Sequence, residues 1–447
     1  MNLMDCFLEK NRNNKLKIYC VGDNLLDQYY EISVNRISPE APTPILLSKN
    51  HNPIVCAGGA ANVASQFTFF NVDCLLFGFS DQYCNWKNIG PNLSLVGGRI
   101  PVKSRFLDSG MQVVRWDIED VNYGLSNDRI KEYRGHVMEL LDDVPTPNII
   151  IFSDYGKGLF DDQINWVKNL KNAITLVDPK FGPLTKWEGC NVFKPNAQEA
   201  KSLSGLDDWK EQSDFFQNKL KCEAVVITQS GKGVGGKWGD EYFNYVPKQT
   251  VNVRSVVGAG DAFISFLAMA IGHGFKGEEA VAIAYEAGAN YVQGIHNQPI
   301  TPCQLSQTKI IHPEDLKHRN FSLAFCNGCY DIIHSGHIQT LKFASEKADK
   351  LLVAINSDSS VKRLKGSSRP IKPLEERLAV MAALEMVDFV TWFEEDTPLE
   401  IIKKCMPDAL IKGSQYKEGE IVGEGIVPKI YRAPMVAGVS TTILLEK

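Results

Sequence analysis

The segment Val257-Gly258-Ala259-Gly260-Asp261 leads into a long apolar run at residues 262–272. Glycines let a backbone turn tightly and expose its N–H groups, and a helix N-terminus behind them attracts anions. A carboxylate at the start of that helix, here Asp261, can accept a proton from an attacking hydroxyl. The segment predicts a phosphoryl-transfer loop, although a helix cap after a flexible loop is the interpretation this short pattern favours when taken alone.

On the N-terminal side of this loop, short apolar runs alternate with longer helical patterns. The pattern predicts strands at residues 18–21, 149–152, 175–177 and 224–228. It predicts helices at residues 262–272 and 278–293. This alternation is typical of an open, mostly parallel α/β sheet, so we expect a doubly wound sheet domain.

The pattern lapses after Gly294 and restarts near residue 320. Residues 295–320 hold three prolines, several polar residues and one brief apolar pair, which predicts a linker with little structure. Beyond it, the pattern predicts strands at residues 323–326, 351–355, 389–392 and 409–411, and helices at 338–347 and 374–386. We therefore expect a polar arm (1–16), a first domain (17–300), a linker (301–320) and a smaller Rossmann-like α/β domain (321–447).

Composition argues against several classes of protein. The chain has 447 residues, 44% of them hydrophobic and 23% charged, as in ordinary globular proteins. A net charge of −5 argues against a general polyanion binder, so no nucleic-acid partner is expected. The 11 scattered cysteines indicate reduced thiols. Because neither a signal peptide nor a run of roughly 20 apolar residues is recognisable, we expect a cytoplasmic protein without a membrane partner.

Further polar residues of the first domain suit sugar and phosphate chemistry. Residues 58–62 open a second helix, and Asp23 and Asp27 flank the end of the first strand, where α/β sheets place ligands. Asn196 and Glu199 supply an amide and a carboxylate one helical turn apart, which suits hydrated magnesium beside ATP. Each feature alone could be ordinary turn or cap chemistry, but their order along the chain favours a kinase.

The first domain resembles the ribokinase (PfkB) family of sugar kinases over about residues 17–300, and most closely its heptose 7-phosphate kinase branch. The resemblance is carried by GDNLLD (22–27), RISPEAP (36–42), GGAANV (58–63), SDYGKG (153–158), DPK (178–180) and KPN (194–196). Two features depart from the family. Ser255-Val256-Val257 stands where the family usually has Asp-x-Thr, and the segment at 81–98 looks shortened.

The resemblance implies specific roles for several residues. Asp261 would be the catalytic base, and Gly258, Ala259 and Gly260 would form the anion hole for the transferring phosphoryl group. The sugar would lie near Asp23, Asp27, Gly59 and Asn62, with its phosphate near Lys103 and Arg105. We also expect a homo-oligomer, with a dimer formed through this domain.

The second domain carries a histidine pair. His334 and His337 open a helix soon after the strand that leads into residues 326–331. Residues three apart on a helix face the same way, and at a helix N-terminus they add donors to an anion site. The pair suits the α- and β-phosphates of a nucleoside triphosphate, whose transition-state charge it could stabilise. Zinc binding and plain helix capping are the alternatives, but no third zinc ligand stands at a suitable spacing.

This domain resembles the cytidylyltransferase-like nucleotidyltransferases over about residues 322–447, and most closely heptose 1-phosphate adenylyltransferase. The resemblance is carried by NGCYD (327–331), HSGH (334–337), NSDSSVKRLKG (356–366), RP (369–370), PLEER (373–377), EDTP (395–398), KG (412–413) and STT (440–442). It implies that the nucleotide contacts His334, His337, Asn327, Gly328, Cys329, Ser440 and Thr441. It places Asp358, Lys365 and Arg369 on the sugar phosphate side. Ser345 and Gln415 depart from the basic and acidic residues that are common at their positions.

Together the two resemblances predict a bifunctional enzyme of ADP-heptose biosynthesis that feeds lipopolysaccharide or a related glycan. It would use Mg²⁺ and ATP at both sites and act on sugar phosphates. Two alternatives remain open at this point. The same folds could act on another sugar or use CTP, or the first domain could be a weak kinase-like scaffold fused to an active transferase.

Overall fold

The computed structural model describes residues 2–50, 52–80, 95–96, 99–119, 124–142, 148–160, 162–170, 172–247, 253–294, 297–306, 308–414 and 421–434. The chain divides into two compact units, with the boundary after Ile300. Within the described ranges, no helix has the length and apolar character needed to cross a bilayer.

The first unit combines seven helices and fifteen strands among its described residues. In chain order they are α1 (Leu3–Asn13), β1 (Leu16–Gly22), β2 (Asn24–Ile37), β3 (Pro44–Ser48), β4 (Ile54–Gly59), α2 (Ala60–Ser65), β5 (Val72–Phe77), β6 (Phe79–Ser80), β7 (Leu95–Val96), β8 (Val102–Asp108), β9 (Met111–Ile118), α3 (Asn127–Asp142), β10 (Asn148–Ser153), β11 (Ala173–Asp178), β12 (Val192–Phe193), α4 (Ala197–Ser204), α5 (Trp209–Leu220), β13 (Ala224–Thr228), β14 (Val234–Trp238), β15 (Glu241–Tyr245), α6 (Ala259–Gly272) and α7 (Gly277–Tyr291).

The main sheet of this unit has eight strands in the order β15-β14-β13-β12-β11-β10-β1-β5. The strands from β13 to β5 are parallel, and β14 and β15 add an antiparallel edge. The predicted strands and helices of this part are confirmed. Because neighbouring parallel strands end at one edge, the residues that follow β1, β10, β11 and β12 meet there.

A second, smaller sheet with the order β3-β2-β8-β9, and with β4 paired to β2, was not predicted. Its strands do not alternate cleanly between buried and exposed positions. On β9, Met111 is 73% exposed and Trp116 is 60% exposed. The sequence pattern therefore lacked the period of two that usually marks a strand with one buried face.

The prediction of a polar arm at residues 1–16 was wrong, because Leu3–Asn13 forms the helix α1. Asn2 caps this helix by accepting a hydrogen bond from the Asp5 backbone N–H at 2.8 Å. Met4, Phe7 and Leu8 are buried on one face. The apolar positions have helical spacing although the composition of the segment is polar.

The segment predicted as a linker with little structure, 301–320, belongs to the second unit and has local structure. It contains α8 (Pro302–Leu305) and a 3-10 helix at Pro313–Leu316. Cys303, Ile311 and Leu316 are buried in a core cluster of the second unit. The prediction failed because these apolar residues follow no regular period.

The second unit continues with a five-stranded parallel sheet. Its remaining elements are β16 (Leu323–Gly328), α9 (Ser335–Ser345), β17 (Lys350–Asn356), α10 (Asp358–Lys365), α11 (Leu374–Ala382), β18 (Phe389–Phe393), α12 (Leu399–Cys405), β19 (Ala409–Gly413) and β20 (Lys429–Ala433). The strand order is β18-β17-β16-β19-β20, so the predicted Rossmann-like architecture is confirmed. The order reverses at β16, and ligands in such sheets bind at the carboxyl ends of strands beside this reversal.

Candidate active sites

The carboxylate of Asp261 lies at the centre of the first site. Asp261 stands in the first turn of α6, and only 4% of the residue is exposed. Its Oδ2 accepts a hydrogen bond from Asn62 Nδ2 at 2.7 Å, and its Oδ1 accepts one from the Tyr155 hydroxyl. Burial raises the pKa of Asp261 to about 6, although these hydrogen bonds and Lys194 oppose the shift. Such a carboxylate is largely ionised at neutral pH and can take a proton from a hydroxyl.

The loop that leads into α6 is shaped by Gly258. Its φ of 77° lies in the left-handed region that glycine adopts without penalty. A Cβ here would lie 2.6 Å from Asn62 Nδ2 and 2.6 Å from the Tyr291 hydroxyl oxygen. Ala259 and Gly260 follow as the first residues of the helix, so N–H groups of its first turn lie beside Asp261. The predicted anion hole and the predicted base are thus brought together.

Asp23 is fully buried and fixes the loop after β10. Its carboxylate accepts backbone hydrogen bonds from Tyr155 at 2.9 Å, Lys157 at 3.0 Å and Leu159 at 3.1 Å. Gly59 packs against Asp23 with a φ of 60°, and a Cβ there would lie 2.2 Å from the Asp23 carbonyl oxygen. Asp23 and Gly59, predicted near the sugar, therefore also shape the wall of the site.

Asp27 and Arg105 form a buried ion pair, in which each side chain is 6% exposed. Asn297 donates a hydrogen bond to the second oxygen of the Asp27 carboxylate, and the Tyr29 hydroxyl donates to Asn297 Oδ1 at 3.0 Å. Asp27 therefore offsets part of the positive charge of Arg105 in the region where the sugar was predicted to bind.

Lys103 stands two residues before Arg105 on β8. Burial lowers the pKa of Lys103, and the nearby charges of Lys157 and Arg105 lower it further, while Asp27 opposes them. Its ammonium lies 5.6 Å from the centroid of the Tyr155 ring. Three cationic side chains in one neighbourhood suit the phosphate group of a sugar phosphate.

Lysines and carboxylates alternate at the ends of β11 and β12. Lys194 Nζ lies 3.0 Å from Asp178 Oδ1, and Lys180 Nζ lies 2.8 Å from Glu199 Oε1. Asn196 and Glu199 form a capping box at the start of α4. Burial raises the pKa of Asp178 to about 7, and the charges of Glu199 and Asp261 add to this shift.

Magnesium fits this donor set. Its charge would offset the repulsion between Asp178 and Glu199, and both supply the oxygen ligands that the ion prefers. One Glu199 oxygen accepts from Lys180, and the other accepts from the Asn196 backbone N–H at 3.0 Å. Both Glu199 oxygens thus already accept a hydrogen bond, and coordination of Mg²⁺ by Glu199 through water stays a prediction.

The second site is built where β16 ends. His334 is the N-cap residue of α9, and His337 lies in its first turn. The Nδ1 atoms of both rings are buried without a hydrogen-bond partner. Burial, followed by the charge of His334, lowers the pKa of His337 to about 4, and burial also lowers that of His334. Two neutral imidazoles with unsatisfied nitrogens at a helix N-terminus suit an incoming phosphate.

The predicted nucleotide residues Asn327, Gly328 and Cys329 lie at the end of β16, just before the histidines. Lys412, at the end of the neighbouring strand β19, donates a hydrogen bond to Asn327 Oδ1. Burial lowers the pKa of Lys412. The strand order therefore places an ammonium group beside the loop that leads to the histidines. Ser440 and Thr441, predicted to cap a phosphate, lie outside the described residues.

Arg377 links the residues that were predicted to face the sugar phosphate to the Cys329 loop. The residue is 2% exposed, and its Nη1 donates to the carbonyl oxygens of Cys329 at 2.7 Å and Asn356 at 2.8 Å. Its Nε donates to the Lys372 carbonyl oxygen at 3.0 Å, and its Nη2 donates to Asp358 Oδ1 at 2.6 Å. The carboxylate of Asp358, predicted to face the sugar phosphate, is thus paired with Arg377.

Arg369, also predicted on the sugar phosphate side, pairs with Asp331. Arg369 Nε lies 2.6 Å from Asp331 Oδ2, and Asp331 Oδ1 accepts the backbone N–H groups of Ile371 and Lys372 at 2.7 and 2.9 Å. The charges of Lys365, Arg377 and Arg369 all act to lower the pKa of the Cys329 thiol, although burial outweighs them and raises it. The three cations therefore surround the Cys329 loop.

Comparison with known proteins identifies a different family in each half of the chain. Residues 159–302 match the pfkB family carbohydrate kinases, and residues 325–427 match the Cytidylyltransferase-like family. Bifunctional protein HldE of Campylobacter jejuni is 33% identical over 473 residues, which cover 98% of this chain and 99% of the relative. Its counterpart in Actinobacillus pleuropneumoniae is 33% identical over 445 residues, which cover 92% of this chain and 91% of that protein. The chain belongs to the HldE family of bifunctional proteins.

Solved structures support the kinase fold of this HldE family member. Phosphofructokinase-2 from Escherichia coli, in complex with potassium, aligns with a TM-score of 0.54 at 17% identity, and the alignment covers 65% of this chain and 96% of that chain. At this identity the likeness shows the ribokinase-like fold alone. With its family and both folds established, the HldE family member is an enzyme that joins a sugar kinase to a nucleotidyltransferase.

Five residues that the sequence did not single out belong to these sites. Four lie inside the quoted motifs or beside a quoted residue: Tyr155 in SDYGKG, Lys194 in KPN, Arg377 in PLEER and Lys412 in KG. Asn297 carried no local signal, because only the fold brings it to Asp27. Among the described residues, no group of three or more His, Cys, Asp and Glu side chains could hold a metal ion.

Proposed function

We propose that this enzyme makes an ADP-heptose in two steps. The kinase unit phosphorylates O1 of D-glycero-β-D-manno-heptose 7-phosphate with ATP, and the second unit transfers AMP from ATP to heptose 1-phosphate and releases pyrophosphate. A phosphatase must remove the 7-phosphate between the two steps. The observation that carries the proposal is the match to bifunctional relatives over nearly the whole of both chains, which includes both sites.

In the kinase step, Asp261 accepts the proton of the sugar O1 hydroxyl as that oxygen attacks the γ-phosphorus of ATP. N–H groups of the first turn of α6 bind the transferring phosphoryl group, and ADP leaves. Lys103 and Arg105 hold the 7-phosphate, while Asp27 and Asn62 contribute polar groups near the sugar. When bound through Glu199, Mg²⁺ would neutralise charge on the ATP phosphates.

In the transferase step, an oxygen of the sugar 1-phosphate attacks the α-phosphorus of ATP directly. His334 and His337 donate hydrogen bonds to the phosphates, so negative charge on the transition state and the departing pyrophosphate is stabilised. Lys365 and Arg369 attract the sugar phosphate. Arg377 keeps Asp358 and the Cys329 loop in place. The resemblance to nucleotidyltransferases implies that Ser440 and Thr441 also bind the phosphates.

We further propose that the enzyme is a homodimer formed through the small sheet of the kinase unit. Large apolar side chains are exposed there, including Met111, Trp116, Ile118 and Val55. A second copy is the partner that would cover such a face in an enzyme of this kind. Light scattering should give twice the chain mass, and Trp116→Asp should reduce it to one chain mass. A monomeric unmodified protein would contradict this part. Because both reactions consume ATP, we place the enzyme in the cytoplasm.

The test of the proposed function is a product analysis. The protein is incubated with heptose 7-phosphate and ATP, and in a second reaction with heptose 1-phosphate and either ATP or CTP. Mass spectrometry should find heptose bisphosphate in the first reaction and ADP-heptose in the second. Products only from another sugar or from CTP would support the alternative substrates, and no bisphosphate from any sugar would support a scaffold role.

Two substitutions assign each reaction to its site. Asp261→Asn should lower ADP formation by about 10²- to 10⁴-fold and leave pyrophosphate release intact. His337→Ala should lower pyrophosphate release by about 10²- to 10³-fold and leave ADP formation intact. Loss of both reactions from either change would contradict two independent sites.

A further inference from the structure

The Asp261 carboxylate is held by two side chains from separate elements. Asn62, at the start of α2, donates to one oxygen, and Tyr155, in the loop after β10, donates to the other. The Asn62 amide is itself tied to Tyr291, whose hydroxyl lies 3.1 Å from Asn62 Nδ2. The orientation of the buried carboxylate is thus set from both of its oxygens.

Tyr155 is unusually well anchored for a residue in a loop. Its own N–H and those of Lys157 and Leu159 all bind the fully buried carboxylate of Asp23. Gly156 N also donates to Asp154 Oδ1 at 2.8 Å. With its backbone fixed by four hydrogen bonds, the loop presents the Tyr155 hydroxyl to Asp261 at little further cost in entropy.

We propose that Tyr155 is a positioning residue of the kinase site, whose hydroxyl keeps the Asp261 carboxylate oriented and ionised for proton transfer from the sugar. The proposal rests on the proposed function, because it takes Asp261 as the base. It also gives Asp23 a role beyond contact with the sugar, since Asp23 fixes the loop from which Tyr155 acts.

The charges around Asp261 explain why a donor is needed. Facing it are the neutral donors Tyr155 and Asn62, the cation Lys194, the carboxylates Asp27 and Asp178, and the hydroxyl of Tyr291. Burial and the carboxylates favour the protonated form of Asp261, whereas Tyr155, Asn62 and Lys194 favour the ionised form. Without the Tyr155 hydroxyl, the pKa of Asp261 should rise. As the pH is lowered, the carboxylate would then become protonated at a higher pH than in the unmodified protein. Because only the ionised carboxylate acts as the base, kcat/KM would begin to fall at that higher pH.

The test is the pH profile of kcat/KM for the sugar phosphate, followed as ADP formation in the full-length protein between pH 5.5 and 9. Tyr155→Phe keeps the ring and removes only the hydroxyl. Loss of one hydrogen bond to a charged group should move the acid limb upward by about one pH unit. Because the pKa of Asp261 is about 6, activity should then fall about fivefold at pH 6 and remain near normal at pH 8.5. Titration of the sugar phosphate itself is the same for each variant and cancels in the comparison.

Tyr291→Phe is the matched control, because the Tyr291 hydroxyl contacts Asn62 and Gly258 but lies one hydrogen bond away from the carboxylate. Its acid limb should move less than that of Tyr155→Phe. An equal loss at every pH in Tyr155→Phe, or an equal shift in both variants, would overturn the proposal. Asp261→Asn distinguishes a failure of the proposed base, Asp261, from a failure of the proposed role of Tyr155. If it retains kinase activity, the base assignment fails, whereas an inactive Asp261→Asn with an unshifted Tyr155→Phe profile refutes only the role of Tyr155.

Discussion

The imidazole rings of His334 and His337 stack with their centroids 3.8 Å apart and their planes 22° from parallel. Two imidazolium cations would repel each other at this distance, and burial disfavours each charge. The pKa of His337 is accordingly lowered to about 4. The pair therefore meets the nucleotide as neutral imidazoles, which can donate hydrogen bonds to the phosphates without carrying a positive charge.

The first prediction concerns the pH dependence of the transferase. Because kcat/KM reports the ionisation of the free enzyme, its profile for Mg-ATP should show no break from His337 between pH 6 and 8. His337→Asn should lower the whole profile without changing its shape. A break near pH 6.5 that disappears in His337→Asn, but persists in a surface variant such as His136→Gln, would mean that an imidazolium binds the phosphates.

The second prediction concerns Arg377, which makes four hydrogen bonds to groups on three segments. Lysine keeps the charge but cannot reproduce the fork of a guanidinium. We expect Arg377→Lys to reduce pyrophosphate release by about 10- to 100-fold, because the Cys329 loop and Asp358 would lose their alignment. This loss corresponds to about 1.4–2.7 kcal/mol of transition-state stabilisation.

Kinase activity of the same protein serves as the internal reference for Arg377→Lys. Arg363→Lys is the matched control, since Arg363 is 49% exposed and pairs with the exposed Asp396. Its effect should be close to zero. Equal effects of the two substitutions would show that Arg377 has no special part in the site.

The third prediction concerns monovalent cations. Ser255 stands where related kinases carry an acidic residue, and its hydroxyl accepts the Val257 N–H at 3.3 Å. A hydroxyl offsets the dehydration of a cation far less than a carboxylate does. Kinase rates should therefore differ by less than about twofold between potassium and sodium buffers, a margin too small to reflect a carboxylate ligand. Strong potassium activation of the unmodified protein would show that another residue supplies the ligand.

The fourth prediction concerns His273, which lies at the end of α6 and is 7% exposed, with both ring nitrogens buried and unpartnered. Burial and then the charge of Lys10, which faces it from α1, lower the pKa of His273 to about 4. The unfolded chain thus binds a proton at a higher pH than the folded chain does. The contribution of His273 to the stability of the kinase unit should be fully present above about pH 6.5 and be lost as the pH drops towards 4.

Tryptophan fluorescence can follow this loss, because all of the seven tryptophans except Trp392 precede residue 301. His273→Leu should reduce the difference in denaturation midpoint between pH 7 and pH 5. His136→Gln, a change at an exposed position on α3, should leave that difference unchanged. If His273→Leu has the same pH dependence as the unmodified protein, the prediction is wrong.

The sequence was sufficient to predict elements that follow a regular period. Buried strands such as β1 and β13 are apolar runs, and the helix α6 is apolar along most of its length, so the main strands of the two large sheets could be predicted. The small sheet could not, because side chains such as Trp116 are exposed on strands that lack alternation. Cys303 and Leu316 likewise follow no period, although the second unit buries them.

In both candidate sites, the sequence motifs identified the segments that form the site. They did not predict which side chains form hydrogen bonds or ion pairs with each other. Asp261 and Asn62 are 199 positions apart, and their hydrogen bond exists only because α2 and α6 pack together. The ion pairs of Arg369 with Asp331 and of Asp358 with Arg377 likewise form only because the fold brings their segments together. A sequence shows that these charged residues are present, but which charge neutralises which is decided by tertiary structure.

The packing of residues 301–320 on the second unit has a practical consequence for dissecting the enzyme. Arg319 donates hydrogen bonds to the Cys405 and Met406 carbonyl oxygens, and Ile310 forms a bridge with Val390 at the edge strand β18. An expression boundary at residue 321 would remove these contacts and leave one face of the transferase core open to water. A boundary at Thr301 keeps that face covered. It is therefore the natural cut for a separately produced transferase, or for exchanging that half between members of the family.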